Sequence, residues 1–135
     1  MAMTDQPENL KYAETHEWVR VEGDEAYIGI SDYAQDELGD VVYLDLPWDD
    51  VGKRQLTAGE RFGDIESVKA TSELFTPVSG QLVRVNEALR DQTEFVNTDP
   101  YNQGWMLVIR LSNPSELDKL MDATAYTRFL ETAGH

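Results

Sequence analysis

Phe62-Gly63-Asp64-Ile65-Glu66-Ser67-Val68-Lys69-Ala70-Thr71-Ser72-Glu73-Leu74-Phe75-Thr76-Pro77-Val78-Ser79-Gly80 is the stretch on which the fold turns. Phe62–Ser67 and Thr71–Thr76 read as two short strands, and only the tripeptide Val68-Lys69-Ala70 separates them. So short a connection predicts a tight hairpin with the Lys69 amine at its exposed tip. Pro77 and Gly80 punctuate the next gap, and a third strand is expected over Gly80–Asn86. A lysine in a turn is by itself most often solvated charge, so the rest of the chain decides what this one means.

Working outward, Trp18, Val19 and Val21 lead into Gly23-Asp24, and Ala26, Tyr27, Ile28 and Ile30 follow. β-Branched and aromatic residues flanking a Gly/Asp pair predict a hairpin between Thr15 and Ile30. Ser31 and Asp32 before Tyr33–Leu38, with Gly39 behind, describe a capped helix of about two turns. Asp40–Leu46 reads as a strand stopped by Pro47, and Trp48–Glu60 as a polar loop. Trp105–Leu111 is nearly continuous apolar sequence, as in a strand covered on both faces. Ser112-Asn113-Pro114 then opens a helical tail, with Leu117, Leu120 and Met121, then Tyr126, Phe129 and Leu130, at helical spacing. Many short strands with a small helical cap predict a mostly β chain, a β-sandwich or flattened barrel with a short internal helix and C-terminal helices.

Composition narrows the function. The 135 residues hold 11 Lys+Arg against 26 Asp+Glu, a formal net charge of −15, and no cysteine. Such a chain is repelled by phosphate backbones and anionic lipid, so neither nucleic acid nor membrane is expected as a partner. Without cysteine there is no disulfide framework, thiolate metal site or thiol nucleophile, and any redox chemistry is imported. The N-terminal residues 1–9 read as a polar, flexible tail on a single domain spanning 1–135. They lack the features of a signal or transit peptide, and no apolar run is long enough for a bilayer. The expected compartment is the bacterial cytoplasm, with a mature mitochondrial protein as the alternative.

Catalytic signatures are missing: no phosphate-binding glycine loop, no Gly-x-Ser-x-Gly elbow, no His-Glu-x-x-His helix. Of two histidines, His135 is terminal, and His16 reads as a hydrogen-bonded strand residue at a hairpin rather than a general base. The acidic residues are scattered and suit a solvated face better than a metal site. No catalytic residue and no metal is assigned.

The run Ile65–Gly80 resembles the lipoyl-lysine segment of the glycine cleavage system H proteins. Other blocks in the family's order are Lys11-Tyr12, His16-Glu17-Trp18, Gly29–Gln35, Leu38-Gly39-Asp40, Leu46-Pro47, Val85-Asn86, and Asn97–Tyr101 before Gly104-Trp105. The resemblance spans about Leu10 to Leu130. It implies a lipoyl/biotinyl-type hybrid-motif sandwich and a non-catalytic lipoyl carrier, with one lipoate in amide linkage to Lys69. It also implies, as partners, the pyridoxal-phosphate glycine decarboxylase (P protein), the aminomethyltransferase (T protein), the dihydrolipoyl dehydrogenase (L protein) and a lipoate-attaching enzyme, around a monomeric carrier. The lipoyl-lysine arm would shuttle the aminomethyl group of glycine between them. The alternative within the family is an H-like protein relaying lipoyl groups to 2-oxoacid dehydrogenase complexes.

The matching positions further imply a cleft for the loaded arm near Glu17, Tyr33, Ser67 and Glu73; Tyr33 stands where many members have histidine. Trp18 and Trp105 are expected in packing, and Asn97, Pro100, Tyr101 and Gly104 in a loop before the last strand. Trp48-Asp49-Asp50 departs from the family pattern in a slightly longer segment after Pro47. Biotin acceptors usually place methionine beside the lysine, where this chain has Val68 and Ala70. Lipoyl domains of 2-oxoacid dehydrogenases usually carry Asp-Lys-Ala and Ala/Pro-rich linkers, neither of which occurs here. A stand-alone hydrolase or lyase would need a catalytic constellation that the sequence does not offer.

Overall fold

The computed structural model describes residues 4–133. Nine strands form two sheets. The larger contains β1 (Lys11–Tyr12), β2 (Glu17–Glu22), β3 (Glu25–Ile30), β5 (Gln55–Leu56), β8 (Gly80–Val85) and β9 (Leu107–Leu111), in the order β1-β2-β3-β9-β8-β5. The smaller is β4 (Val41–Asp45), β6 (Arg61–Ser67) and β7 (Thr71–Phe75), in the order β4-β6-β7. Every pairing is antiparallel. The result is the mostly β, flattened sandwich that the strand pattern predicts.

Period-two alternation explains the core. Val19, Ala26, Ile28, Leu82 and Ile109 of the larger sheet bury against Leu44, Ile65 and Leu74 of the smaller. Trp18, one step out of phase with Val19, faces a second cluster of Leu10, Tyr12, Ala123 and Tyr126. Helix α3 (Ala123–Ala133) covers that face, with Tyr126 stacked on Tyr12 at 4.5 Å. Helix α1 (Asp32–Leu38) is capped as expected: the Ala34 N–H donates to Ser31 Oγ, and the Gly39 N–H closes the other end on the Gln35 carbonyl. A short α2 (Phe95–Thr98) precedes β9.

Three local expectations are corrected. The segment 48–60 is not all loop, because Gln55 and Leu56 pair with Gln81 and Gly80 as strand β5. The C-terminal helices form, but Leu120 and Met121, expected at helical spacing, fall between them: a 3-10 stretch over Pro114–Lys119 ends at Leu120, whose backbone is extended. Met121 is held to Tyr12 by reciprocal backbone hydrogen bonds of 2.8 and 2.9 Å, so the chain straightens there before α3 begins. His16 lies in the turn between β1 and β2, not in a strand, with a left-handed φ of 78°. Residues 1–3 of the predicted tail, and His135, lie outside the described residues. Further along, the Asp5 N–H donates to Asp32 Oδ2 at 2.8 Å, and Pro7 O accepts from Tyr12 Oη at 2.7 Å.

Candidate functional site: a lysine at a hairpin tip beside a buried carboxyl

β6 and β7 reverse across Ser67-Val68-Lys69-Ala70, a turn without glycine. Its closure comes from Ser67. The Ser67 N–H donates to Ala70 O at 2.8 Å, and Ser67 Oγ accepts from the N–H groups of Lys69 and Ala70 at 3.3 and 3.1 Å. A buried hydroxyl thus does what a positive-φ residue does in other tight turns. Lys69 stands exposed at the tip and makes no salt bridge among the described residues.

The turn rests on the end of α1. The Val68 N–H donates to Asp40 O at 3.0 Å, joining the tip to the residue before β4. Gly39, at φ 82°, lets the helix end directly beneath the lysine: a Cβ there would lie 3.6 Å from Lys69 Cε. Asn97, expected only to shape a loop, holds this junction. Its Nδ2 donates to Gly39 O at 2.9 Å and Gln35 Oε1 at 3.0 Å, and its Oδ1 accepts from the Val41 N–H at 2.9 Å. Nothing local in the sequence places residue 97 under residue 39.

On the β7 side of the tip opens a cleft of about 300 Å³ between α1, the β1–β2 turn and β7. Glu17, Tyr33 and Glu73 line it, as do His16, Glu37 and Ser72, which sequence reasoning did not include. Ser67 does not line it; its side chain is spent on the turn.

Glu17 is 1% exposed. Its carboxyl accepts from Thr15 Oγ1 on one oxygen and from the Phe75 N–H, at 3.0 Å, on the other. Burial outweighs those hydrogen bonds and raises its pKa to about 7. The cleft floor therefore holds a carboxyl poised between its neutral and charged forms near neutrality.

His16 completes the wall, with its ring 5.0 Å from that of Tyr33. Its Nδ1 and Tyr126 Oη share a hydrogen bond of 2.8 Å, and Tyr126 Oη and Ser31 Oγ share another of 2.7 Å. Burial holds this imidazole below the ordinary histidine pKa, with Glu37 pulling the other way. Glu73 reaches Arg61 Nε at 3.5 Å along the sheet. Among the described residues no group of three His, Cys, Asp or Glu side chains could hold a metal ion, and no helix is long and apolar enough to cross a membrane.

An unpaired lysine on a glycine-free tip beside a carboxyl-floored cleft suits a covalently carried group. The family model described as "Glycine cleavage H-protein" matches residues 10–133. The chain belongs to the glycine cleavage H-protein family. A glycine cleavage system H protein of Brevibacillus brevis is 56% identical over 120 residues, covering 89% of this chain and 93% of that protein. One from Symbiobacterium thermophilum is 51% identical over 127 residues, covering 94% and 97%. The crystal structure of a glycine cleavage system H protein from Mycobacterium marinum superposes with a TM-score of 0.80 at 33% identity, covering 96% of this chain and 99% of that one. As a glycine cleavage H-protein family member, the chain is a carrier component whose counterparts are the other members of that system.

Proposed function

We propose that Lys69 carries a single lipoyl group in amide linkage, and that the chain presents it to the enzymes of glycine cleavage without catalysing a step itself. The observation that carries this reading is the exposed, unpaired amine on a stiff turn, next to a cleft large enough to receive the end of an arm. Held there by Lys69, lipoate would supply a disulfide able to carry an aminomethyl group from the glycine decarboxylase to the aminomethyltransferase and to be closed again by dihydrolipoyl dehydrogenase.

The chain's own residues do the rest. From the Lys69 Cα to the dithiolane is on the order of eleven covalent bonds, a reach of roughly 14 Å. Ser67 and Asp40 hold the root still, so the sweep is set by the arm and not by the turn. When the arm folds back, the cleft screens its end from water, and Glu17 lies where a cationic amine would draw it into its charged form. Glu17, Tyr33 and Glu73 are proposed to line the resting place, and Ser67 to position the root. Intact-mass measurement and peptide mapping of protein from its native host, grown replete with lipoate, test the reading. One lipoyl group on Lys69 is expected, and an unmodified Lys69 would overturn the proposal.

A further inference from the structure

Among the described residues, the five large hydrophobic side chains that stand out on the surface are unevenly placed. Val21 and Val51 lie apart, each 41% exposed, whereas Val42, Tyr43 and Val68 are 51%, 57% and 68% exposed and sit together beside the tip. The register explains the clustering. Val41 pairs with Ser67 and Tyr43 with Glu66, with Val42 bulged between them, and the Val68 N–H reaches Asp40 O. Val42 and Tyr43 thus stand on the edge strand β4, and Val68 follows in the turn beside its N-terminal end, at the root of the lysine. Isolated exposed hydrophobics need no explanation, but a contiguous set does.

The patch continues into a cavity of about 320 Å³ bounded by Val42, Tyr43, Trp48, Leu89 and Thr93. Trp48, from the segment that departs from the family pattern, forms one wall and carries the Arg90 guanidinium 4.7 Å over its ring. Arg90 is itself neutralised by Glu87 at 2.8 Å, so the cavity mouth presents no bare cation. Around the patch stand Asp40, Asp45 and Glu66, all exposed, none of whose carboxylates forms a salt bridge among the described residues. The surface is thus an apolar strip with a hollow at one end and negative charge at its rim, bare at Asp40 and Glu66 and only partly offset at Asp45 by Arg61, the complement of an apolar side chain ringed by Lys or Arg.

Position relative to the cleft selects the occupant. The cleft opens at the β7 edge of the three-stranded sheet, and the apolar strip runs along the β4 edge. Every enzyme the arm visits receives it extended, but only the one that loads it leaves a charged arm that must fold back into the cleft, and a partner seated on β4 leaves that resting place uncovered.

We propose that the β4 edge, from Val68 to the Trp48–Leu89 cavity, is the docking surface for the enzyme that loads the arm, and that this enzyme meets it with an apolar side chain set in a basic rim. The proposal rests on the carrier reading above. Its test uses the full-length lipoylated chain and the glycine decarboxylase of the same organism, measuring Kd by calorimetry and KM for the carrier in the decarboxylation reaction. Val42→Thr with Tyr43→Thr keeps strand propensity and removes the apolar strip, and is expected to raise both constants about tenfold with kcat unchanged. Asp45→Lys is expected to weaken binding and flatten its salt dependence. Val21→Ser serves as the control and should match the wild type.

Kd and KM within twofold of wild type for both test proteins, with folding verified by circular dichroism, would overturn the docking assignment. Failure of the carrier reading looks different, since the wild type itself would then be neither lipoylated on Lys69 nor loaded by the enzyme at any concentration.

Discussion

Two hairpins of similar length close by opposite means. β2–β3 turns at Gly23-Asp24, with Gly23 at φ 67°, and its strands keep unbroken register from the pair Glu17–Ile30 to the pair Glu22–Glu25. It lies inside the six-stranded sheet, flanked by β1 and β9. β6–β7 turns without glycine, slips register between Arg61 and Gly63, and forms one edge of the smaller sheet. The first hairpin is held by its neighbours and can rely on a permissive residue at its tip. The second projects the side chain proposed to carry the arm and is stiffened by the Ser67 hydroxyl and the Asp40 carbonyl. Glu17 ties the two together, since it begins β2 and accepts from the Phe75 N–H at the end of β7.

The largest effect separates the tips by function. Lys69→Arg keeps the charge and exposure but removes the primary amine proposed to form the amide. Lipoylation and glycine decarboxylation in a reconstituted system are expected to be lost completely. The urea midpoint should not move, because the side chain is solvated and unpaired, and such substitutions change stability by less than about 0.5 kcal/mol. A retained lipoyl group would place the arm on another residue.

The tie between the hairpins titrates. In the folded chain the Glu17 pKa is raised from its ordinary 4.5 to about 7 by burial. Between those values the native state holds a proton that the unfolded chain has released, so stability falls as pH rises through the window. Below 4.5 both states are protonated and the penalty is absent; above 7 it is complete and constant. The shift corresponds to about 3 kcal/mol. Glu17→Gln keeps an acceptor for the Phe75 N–H and removes the ionisation, so its unfolding free energy relative to wild type should grow across that window. Curves for the two proteins that stay parallel through that window, from pH 4.5 to about 7, would show that Glu17 is not the group responsible.

What the sequence revealed of these regions follows the range of the forces involved. Both hairpins, α1 and β9 were legible because their signals are local: β-branched runs around Gly23-Asp24, a Ser31 cap three residues before the Ala34 N–H it receives, an apolar run at Leu107–Ile109. β5 was not, since two residues become a strand only by pairing with Gln81 and Gly80. Nor was the break in the tail, which depends on Met121 meeting Tyr12.

The site divides in the same way. Lys69 announces itself within one stretch of chain. Glu17 read equally well as a solvated edge carboxylate, until a partner 58 residues away buried it. Asn97 gave no sign of supporting the lysine, because its three side-chain hydrogen bonds all cross to residues 35–41. The β4 docking strip depends on a bulge at Val42, and the exposure a bulge produces is a property of the pairing rather than of the residue.

The smallest effects compare the two closures directly. At Gly23 a methyl group meets nothing within 4 Å, so Gly23→Ala tests backbone strain alone. A left-handed φ costs an L-residue about 1–2 kcal/mol, and the urea midpoint should fall accordingly while arm loading stays unchanged. Ser67→Ala removes the acceptor for the N–H groups of Lys69 and Ala70. Its cost in stability is expected to be about 1 kcal/mol, near the lower end of the Gly23 effect. Its signature should nevertheless lie elsewhere, in faster amide exchange confined to Lys69 and Ala70 and greater mobility of a spin label or lipoyl group at the tip. The Ser67 N–H to Ala70 O bond and the Val68 N–H to Asp40 O bond survive the change, so the hairpin persists while its tip loosens. Amide exchange at residues 69 and 70 that is indistinguishable from wild type would mean that the backbone alone sets the turn, and that both hairpins close by the same means after all.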